Sequence, residues 1–244
     1  MVISHKYKYL FIENGQTGCT AIRKELIENY DGVPILRKHS IYSEFLNIAS
    51  EEEKEYFVFI TVRNPLDKAV SSYLKYKNDH RNRYTDRINL RGRQAIIDLR
   101  HLYHYKNISK KNYSFKDYLA SNKWLPYDDM STLKFSKDIR TIKFENLNND
   151  FQQVLQEIGI EPIRDLPKYN STESKSHYLD FYTDDVVKKI AFQKFGVFMK
   201  YWDYQWPKTW PKYNISNYEK IKWNFFHSIR KYTWGEFRKG LKDA

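Results

Sequence analysis

The sequence is poor in the residues that build covalent or metal-based frameworks. Cys19 is its single cysteine, so an intrachain disulfide and a cysteine-based metal site are both excluded. The N-terminal segment MVISHKYKYLFIEN leads straight into a strand-like run and lacks the long apolar stretch of a signal peptide or membrane anchor. We therefore expect a cytoplasmic protein that has no transmembrane segment.

Positive charge and aromatic side chains are abundant instead. The net charge is +12, aromatic residues make up 17% of the 244 residues, and an apolar fraction of 41% is sufficient for a core. The charge reflects either a basic, solvated surface or an anionic ligand. The length allows one large domain or two small ones. We predict a single domain over residues 1–244, because no low-complexity linker interrupts the chain.

Strands and helices are predicted to alternate along the chain. The predicted strands cover residues 7–12, 33–36, 56–62 and 139–144. The predicted helices cover residues 18–30, 41–49, 65–77, 93–105 and 182–201. A further helix is expected to start at a cap on Asn148 or Asn149, and Thr183 is the expected N-cap of the last one. This alternation is typical of an α/β domain with a partly parallel sheet.

A turn rich in glycine and threonine follows the first predicted strand, with Gly15, Thr17, Gly18 and Thr20 before or at the start of a helix. Glycine lets the backbone approach a ligand closely, and the N–H groups at a helix start attract anions. The turn therefore indicates a phosphate site, although a plain strand–helix connection has the same composition. No GxxxxGK[ST] pattern is present, which argues against a kinase of the Walker A type.

A second turn of this kind lies in VRNPLDKAVSSY. Arg63 leaves the C-terminal end of a strand, and Ser71 lies eight residues later, about two turns into the next helix. A guanidinium and a hydroxyl at this spacing can share one phosphate. The alternative is an ion pair between Arg63 and Asp67, with Ser71 only packed.

Together the two segments resemble the sulfotransferases that use 3′-phosphoadenosine-5′-phosphosulfate (PAPS), and most closely the carbohydrate sulfotransferases and their bacterial relatives. GQTGCTA is similar to that family's PKTGGTS loop, which holds the 5′-phosphosulfate, and RNPLDKAVSSY is similar to its RNPYDRLVSAY, which holds the 3′-phosphate. The segments NKWLPY, IKFENLNNDFQQVLQEIGI and LPKYN followed by YLDFYTDDVVKKI also resemble family segments. The resemblance spans residues 7–204, with a gap at 78–113.

The resemblance implies a P-loop-like three-layer sandwich, with a central, mostly parallel sheet flanked by helices. It implies transfer of a sulfuryl group from PAPS to a hydroxyl of a carbohydrate or small molecule by in-line displacement, with adenosine 3′,5′-bisphosphate (PAP) as product. The cofactor-binding residues that it implies are Gly15, Gln16, Thr17, Gly18, Cys19, Thr20, Arg63 and Ser71.

The chain departs from the family pattern at Gln16, where the family has a lysine that is thought to neutralise charge on the leaving phosphate. Gln16 can donate a hydrogen bond but brings no charge, and losing such a donor typically costs about 2.7–4 kcal/mol of transition-state stabilisation. We therefore expect slow catalysis, a substitute cation or nucleotide binding without catalysis. Lys38, or Arg37 beside it, is the expected substitute cation.

A base is also needed for the proton of the acceptor hydroxyl, and histidine suits this role near neutral pH. His39 follows the short predicted strand 33–36, so we expect it at the C-terminal edge of the sheet, where α/β proteins bind their ligands. The predicted catalytic residues are thus His39, Gln16 and Lys38.

Two segments have an unusual composition. Residues 78–113 form a basic insert, which suits either an anionic glycan as acceptor or a solvated face. Residues 205–244 form an aromatic and basic extension. Its aromatic side chains are expected either to pack on the domain, to stack on sugars or to rest on a membrane surface.

Three functions remain open from the sequence. They are a PAPS-dependent sulfotransferase, a catalytically weakened relative that binds PAP or PAPS, and a basic nucleic-acid-binding protein. No recognised nucleic-acid-binding motif supports the third, so we expect no specific nucleic-acid partner.

Overall fold

The structure is a computed structural model that describes residues 1–86, 94–133, 139–167 and 177–239. The chain divides into two compact units. Unit 1 is drawn from Met1–Asn64, Asp128–Ser174 and His227–Ala244, and unit 2 from Pro65–Tyr127 and Lys175–Phe226. The single domain expected over residues 1–244 stays a prediction.

Unit 1 contains a five-stranded mixed sheet with the strand order β3-β1-β2-β4-β5. Its strands are β1 (Val2–Ser4), β2 (Tyr9–Ile12), β3 (Val33–Pro34), β4 (Phe57–Val62) and β5 (Arg140–Lys143). Strands β2, β4 and β5 are parallel neighbours, whereas β1 is antiparallel to both β2 and β3. Strand β3 therefore runs in the same direction as β2. The segments that follow β2, β3, β4 and β5 all leave the same edge of the sheet.

Helices cover both faces of this sheet. Successive side chains of a strand point to opposite faces, so each face contributes to a separate core. On one face α1 (Cys19–Asn29) and α7 (Leu147–Glu157) contribute to a core with Tyr9, Phe11 and Phe59. On the other face α2 (Tyr42–Leu46) contributes to a core with Leu10, Ile12, Val58 and Ile60. The expected three-layer α/β arrangement with a mostly parallel sheet is confirmed.

Strand β1 was not expected from the sequence. It forms a hairpin with β2, in which Val2 pairs with Phe11 and Ser4 pairs with Tyr9. The turn between them contains Lys8 in the left-handed region, with φ 53°. Because no glycine or Asn-Gly pair marks this turn, the sequence carries no hairpin signal there.

Unit 2 is helical and has a core of its own. Its helices are α4 (Pro65–Lys77), α5 (Gln94–Tyr105), α6 (Phe115–Ser121) and α8 (Asp185–Tyr201), and it holds the first part of α9 (Asn217–Lys239). Tyr182 is buried in this core and its hydroxyl donates to the carbonyl of Leu66 at 3.0 Å. Unit 1 also contains the short helix α3 (Glu51–Lys54).

Two predicted helix caps were wrong. The N-cap of α8 is Asp184, whose carboxylate accepts from the N–H of Val187 at 2.8 Å, and not Thr183. Helix α7 begins at Leu147 with Asn146 as N-cap, and not after Asn148 or Asn149. The side-chain Oδ1 of Asn148 accepts instead from the N–H of Leu166 at 2.8 Å.

Gly32 allows the chain to turn closely from α1 into β3. Its N–H donates to the carbonyl of Leu26 at 2.9 Å. A Cβ atom at this position would lie 2.7 Å from that carbonyl oxygen and 2.7 Å from Val2 Cγ1. Backbone atoms of a helix cannot move aside as a flexible side chain can, so only glycine fits here.

We expect Gly32→Ala to lower the free energy of unfolding by about 1–3 kcal/mol, the usual cost of overpacking. Gly15→Ala is the matched control, because a Cβ there would meet only His39 Cε1, at an ordinary 3.9 Å. Denaturant titration of both variants measures the difference. Equal stability of Gly32→Ala and Gly15→Ala would contradict the close approach.

Candidate functional site

The loop between β2 and α1 is fixed by buried side chains. The hydroxyl of Thr17 donates to the carbonyl of Asn14 at 2.7 Å and accepts from the hydroxyl of Thr61, on β4, at 2.5 Å. The side-chain amide of Asn14 donates to the carbonyl of Thr61 at 3.1 Å. All three residues are at most 1% exposed. The loop is therefore attached to the C-terminal end of β4 by buried polar contacts.

Arg63 lies against the same loop. Its Nη1 donates to the carbonyl of Gln16 at 3.0 Å, and its guanidinium carbon lies 4.1 Å from the centre of the Phe144 ring. The side chain is buried, with 8% of the residue exposed. This brings a permanent positive charge to the loop that carries Gln16, whose own side chain is exposed.

Glu145 holds the turn that follows Arg63. Its Oε1 accepts from the backbone N–H of Asn64 at 2.7 Å. Asn64 is the last residue before α4 starts at Pro65. The carboxylate of Glu145 therefore has a structural role, because it fixes the backbone between β4 and α4.

Lys38 and His39 approach the loop from the segment after β3. The Lys38 Nζ donates to the Thr20 hydroxyl oxygen at 3.3 Å. The Nδ1 atom of His39 lies 2.8 Å from the carbonyl oxygen of Glu13. A Cβ atom at Gly15 would lie 3.9 Å from Cε1 of the same ring. The parallel direction of β3 and β2 explains why these residues meet the loop.

The contact of His39 also defines its tautomer. A carbonyl oxygen can only accept, so Nδ1 must carry the proton, and the neutral ring then has its lone pair on Nε2. The His39 side chain is half-buried. Such an arrangement suits proton uptake at Nε2, because the Nδ1–H···O bond fixes the orientation of the ring.

Three residues other than glycine take left-handed backbone conformations around the loop. They are Gln16 with φ 63°, Leu36 with φ 55° and His39 with φ 64°. Each such residue costs free energy relative to a relaxed backbone, and such strain clusters at ligand and active sites. Gly18, the N-cap of α1, has φ 77°, which glycine adopts without this strain because it lacks a Cβ atom.

The remaining predicted binding residues differ in what their side chains do. The Thr17 hydroxyl is used inside the loop, and Cys19 is 3% exposed in the core below it. Any contact of these two with a ligand would come from their backbone. Ser71 lies on α4 in unit 2, where it is 4% exposed. The pairing of Arg63 with Ser71 stays a prediction.

The arrangement favours an anion. Gly18 has no side chain to cap the first turn of α1, so no N-cap side chain competes with an anion for the positive end of the helix dipole. Lys38 and Arg63 add charge on two sides of the loop. Over the part of the chain that the structure describes, no group of three or more His, Cys, Asp or Glu residues could hold a metal ion.

Sequence reasoning missed Asn14 and Thr61, which attach the loop to β4. The only signal for Thr61 is a hydroxyl inside the otherwise apolar run FVFITV. A polar residue in a strand that is buried on both faces needs a partner, and Thr17 is that partner. Glu13 was missed as well, although its carboxylate is fully buried and pairs with Arg23 at 2.6 Å.

A model of the sulfotransferase family matches residues 1–201 of the chain. No curated protein and no solved structure matches it. The family match covers most of the sequence, and it includes the loop after β2, the segment after β3, Arg63 and Ser71. The chain therefore belongs to the sulfotransferase family.

Proposed function

We propose that the protein transfers a sulfuryl group from PAPS to a hydroxyl of a carbohydrate or small-molecule acceptor. The observation that carries the proposal is the convergence of Lys38, His39 and Arg63 on the loop from Gly15 to Thr20. A cation beside a helix N-terminus suits a phosphosulfate, and a half-buried imidazole of fixed tautomer suits a base. These are the groups that sulfuryl transfer to a hydroxyl needs.

In this proposal the loop and Lys38 hold the 5′ end of the donor. Bound PAPS would supply the sulfuryl group, which the acceptor oxygen takes by in-line displacement while the bond to the phosphate oxygen breaks and PAP leaves. The α1 N-terminus, the Gln16 amide and the Lys38 ammonium stabilise the charge that develops on the phosphate side. Arg63 and Ser71 are the proposed partners of the 3′-phosphate.

His39 is the proposed base for the acceptor. Its Nε2 takes the hydroxyl proton while Nδ1–H keeps its hydrogen bond to the carbonyl of Glu13. The resulting imidazolium is stabilised by that carbonyl. No metal is required in this scheme, since Lys38 and Arg63 supply the positive charge.

The acceptor class that we propose includes anionic glycans, on the basis of the insert 78–113, which belongs to unit 2. Not all of its charge serves a ligand, because Arg83 pairs with the buried Asp98 at 3.2 Å. Arg81 and Arg100 are exposed. We further propose a cytoplasmic location.

The second candidate is a relative that binds PAP or PAPS without efficient catalysis. Gln16 favours it, because the family's loop lysine is missing. The 3.3 Å contact between Lys38 and Thr20 favours catalysis instead, because it brings an ammonium to the start of α1. The experiments below separate the two.

Calorimetry with PAP tests the donor site that both candidates share. We expect micromolar binding to the intact chain and a loss of about 10- to 100-fold in Arg63→Ala, because hydrogen bonds to charged groups contribute about 1.5–3 kcal/mol. Arg140→Ala is the control, since Arg140 pairs with Glu157 on the surface. Absence of PAP binding by the intact chain would refute the proposal and its alternative together.

Lys38→Ala tests the substitute cation. We expect sulfate transfer from labelled PAPS to fall by about 10²–10³-fold, as for the loss of one transition-state donor. Gln16→Lys in the Lys38→Ala background should restore part of the rate, because it returns a charge to the loop. Arg37→Ala tests the alternative cation beside Lys38 and should leave the rate unchanged, because Lys38 is the residue that contacts Thr20.

The outcome also separates the two candidate functions. Unchanged turnover in Lys38→Ala would exclude Lys38 as the substitute. Transfer to no acceptor of a broad panel of glycans and small alcohols, together with tight PAP binding, would favour the binding protein.

His39→Asn tests the base. Asparagine tolerates the left-handed backbone of this position, and its side-chain amide can still donate toward the carbonyl of Glu13. We therefore expect unchanged stability and PAP affinity, a turnover lower by about 10²–10⁴-fold, and loss of the acid limb of the pH–rate profile. A profile that keeps its acid limb would remove His39 from the mechanism.

A further inference from the structure

Helix α9 (Asn217–Lys239) exposes an apolar stripe that the proposed transfer reaction does not use. Its members are spaced three and four residues apart, which places them on one helix face. They are Tyr218, Ile221, Phe225, Ile229 and Tyr232, with exposures of 71%, 68%, 60%, 44% and 73%. We call this set the α9 stripe. Five large apolar side chains in line at this exposure are unlike the scattered apolar residues of an ordinary surface.

The opposite side of α9 is attached to the protein. Trp223 is 6% exposed and its indole N–H donates to the carbonyl of Tyr127 at 3.1 Å, within unit 2. His227 and Arg230 both reach the carboxylate of Asp128, at 2.9 and 3.3 Å, within unit 1. Each of these anchors lies two positions from a stripe residue, and two positions turn a helix by more than half a circle. The stripe therefore faces away from the contacts that hold the helix.

One basic side chain borders the stripe. Lys222 lies next to it, with Nζ 5.8 Å from the centre of the Tyr218 ring. Lys220 and Lys231 are exposed on other sides of the helix. The acidic Glu219 is occupied, because it accepts from the N–H of Ser216 at 2.8 Å and from the hydroxyl of Tyr213. Lysine and arginine thus outnumber Glu219 among the described side chains of α9, so this helix is positive overall.

We propose that the α9 stripe binds the surface of an anionic lipid membrane, with the helix lying in the plane of the interface. Apolar side chains would enter the boundary between headgroups and acyl chains, while lysines reach the anionic headgroups. Tyrosine at both ends of the stripe suits the headgroup level. The net charge of +12 adds attraction to the same surface.

Other occupants fit the observations less well. A second copy of the chain also carries a net charge of +12, and the repulsion between two strongly positive molecules disfavours pairing through the stripe. Insertion across a bilayer is a different matter: among the described residues, no helix has both the length and the apolar character of a membrane span. An in-plane helix needs neither, since only one of its faces leaves water.

Vesicle co-sedimentation tests the proposal. We expect the intact chain to bind phosphatidylcholine vesicles that contain about 30 mol% phosphatidylserine. It should bind neutral phosphatidylcholine vesicles weakly. The double variant Phe225→Ser/Ile229→Ser should bind the anionic vesicles at least about tenfold less, because it removes two inserted side chains. The variant Lys222→Glu should weaken binding and reduce its dependence on salt.

The matched control is Val33→Ser/Ile163→Ser. These residues are exposed to a similar degree, at 52% and 66%, but lie outside α9. The control should bind vesicles as the intact chain does, and PAP calorimetry should report an unchanged donor site in every variant.

Three results would overturn the proposal. They are no binding to anionic vesicles, equal binding by the stripe variant and the intact chain, and a dimer in light scattering that the stripe variant converts to a monomer. The last result would assign the stripe to a second copy of the chain. None of them bears on PAP binding, so the proposed transfer reaction would stand.

Discussion

The hydrogen bond between the hydroxyls of Thr17 and Thr61 is the contact on which the candidate site depends. It attaches the loop after β2 to the neighbouring strand β4, and the side chain of Asn14 closes the same cluster from the other direction. Buried polar groups that satisfy each other in this way have few alternative arrangements. The loop backbone is consequently set before any ligand arrives, and the carbonyl of Gln16 meets the guanidinium of Arg63.

A fixed loop is what the proposed replacement of the family's lysine by Lys38 requires. The family pattern has a lysine where this chain has Gln16, but β3 runs in the same direction as β2 and so directs its following segment to the same edge. Lys38 reaches Thr20 from there. Electrostatic stabilisation depends on where a charge lies and not on which segment carries it. The left-handed backbone at Leu36 and His39 is the conformational cost of that route.

The parts of the fold that the sequence predicts well are those in which local pattern and tertiary packing agree. Strand β4 is a continuous apolar run buried on both faces, and Pro65 starts α4 at its favoured first position. The hairpin of β1 was missed because Lys8 takes a left-handed conformation without a glycine signal. Lys38 was predicted near the loop because it lies beside His39, after the second predicted strand. The link from Thr17 to Thr61 joins residues 44 positions apart and has no local pattern in the sequence.

Helix α9 shows why an aromatic composition alone does not predict a role. Trp210 and Trp223 of the C-terminal extension are at most 9% exposed, so these two tryptophans are not part of the exposed face. The exposed face consists of tyrosine, phenylalanine and isoleucine, which only the helical register separates from the rest. Because His227 and Arg230 hold the inner side on Asp128, the outer face is ordered without a partner. A surface that is already ordered loses little conformational entropy on binding, which favours the reversible membrane association that we propose for the α9 stripe.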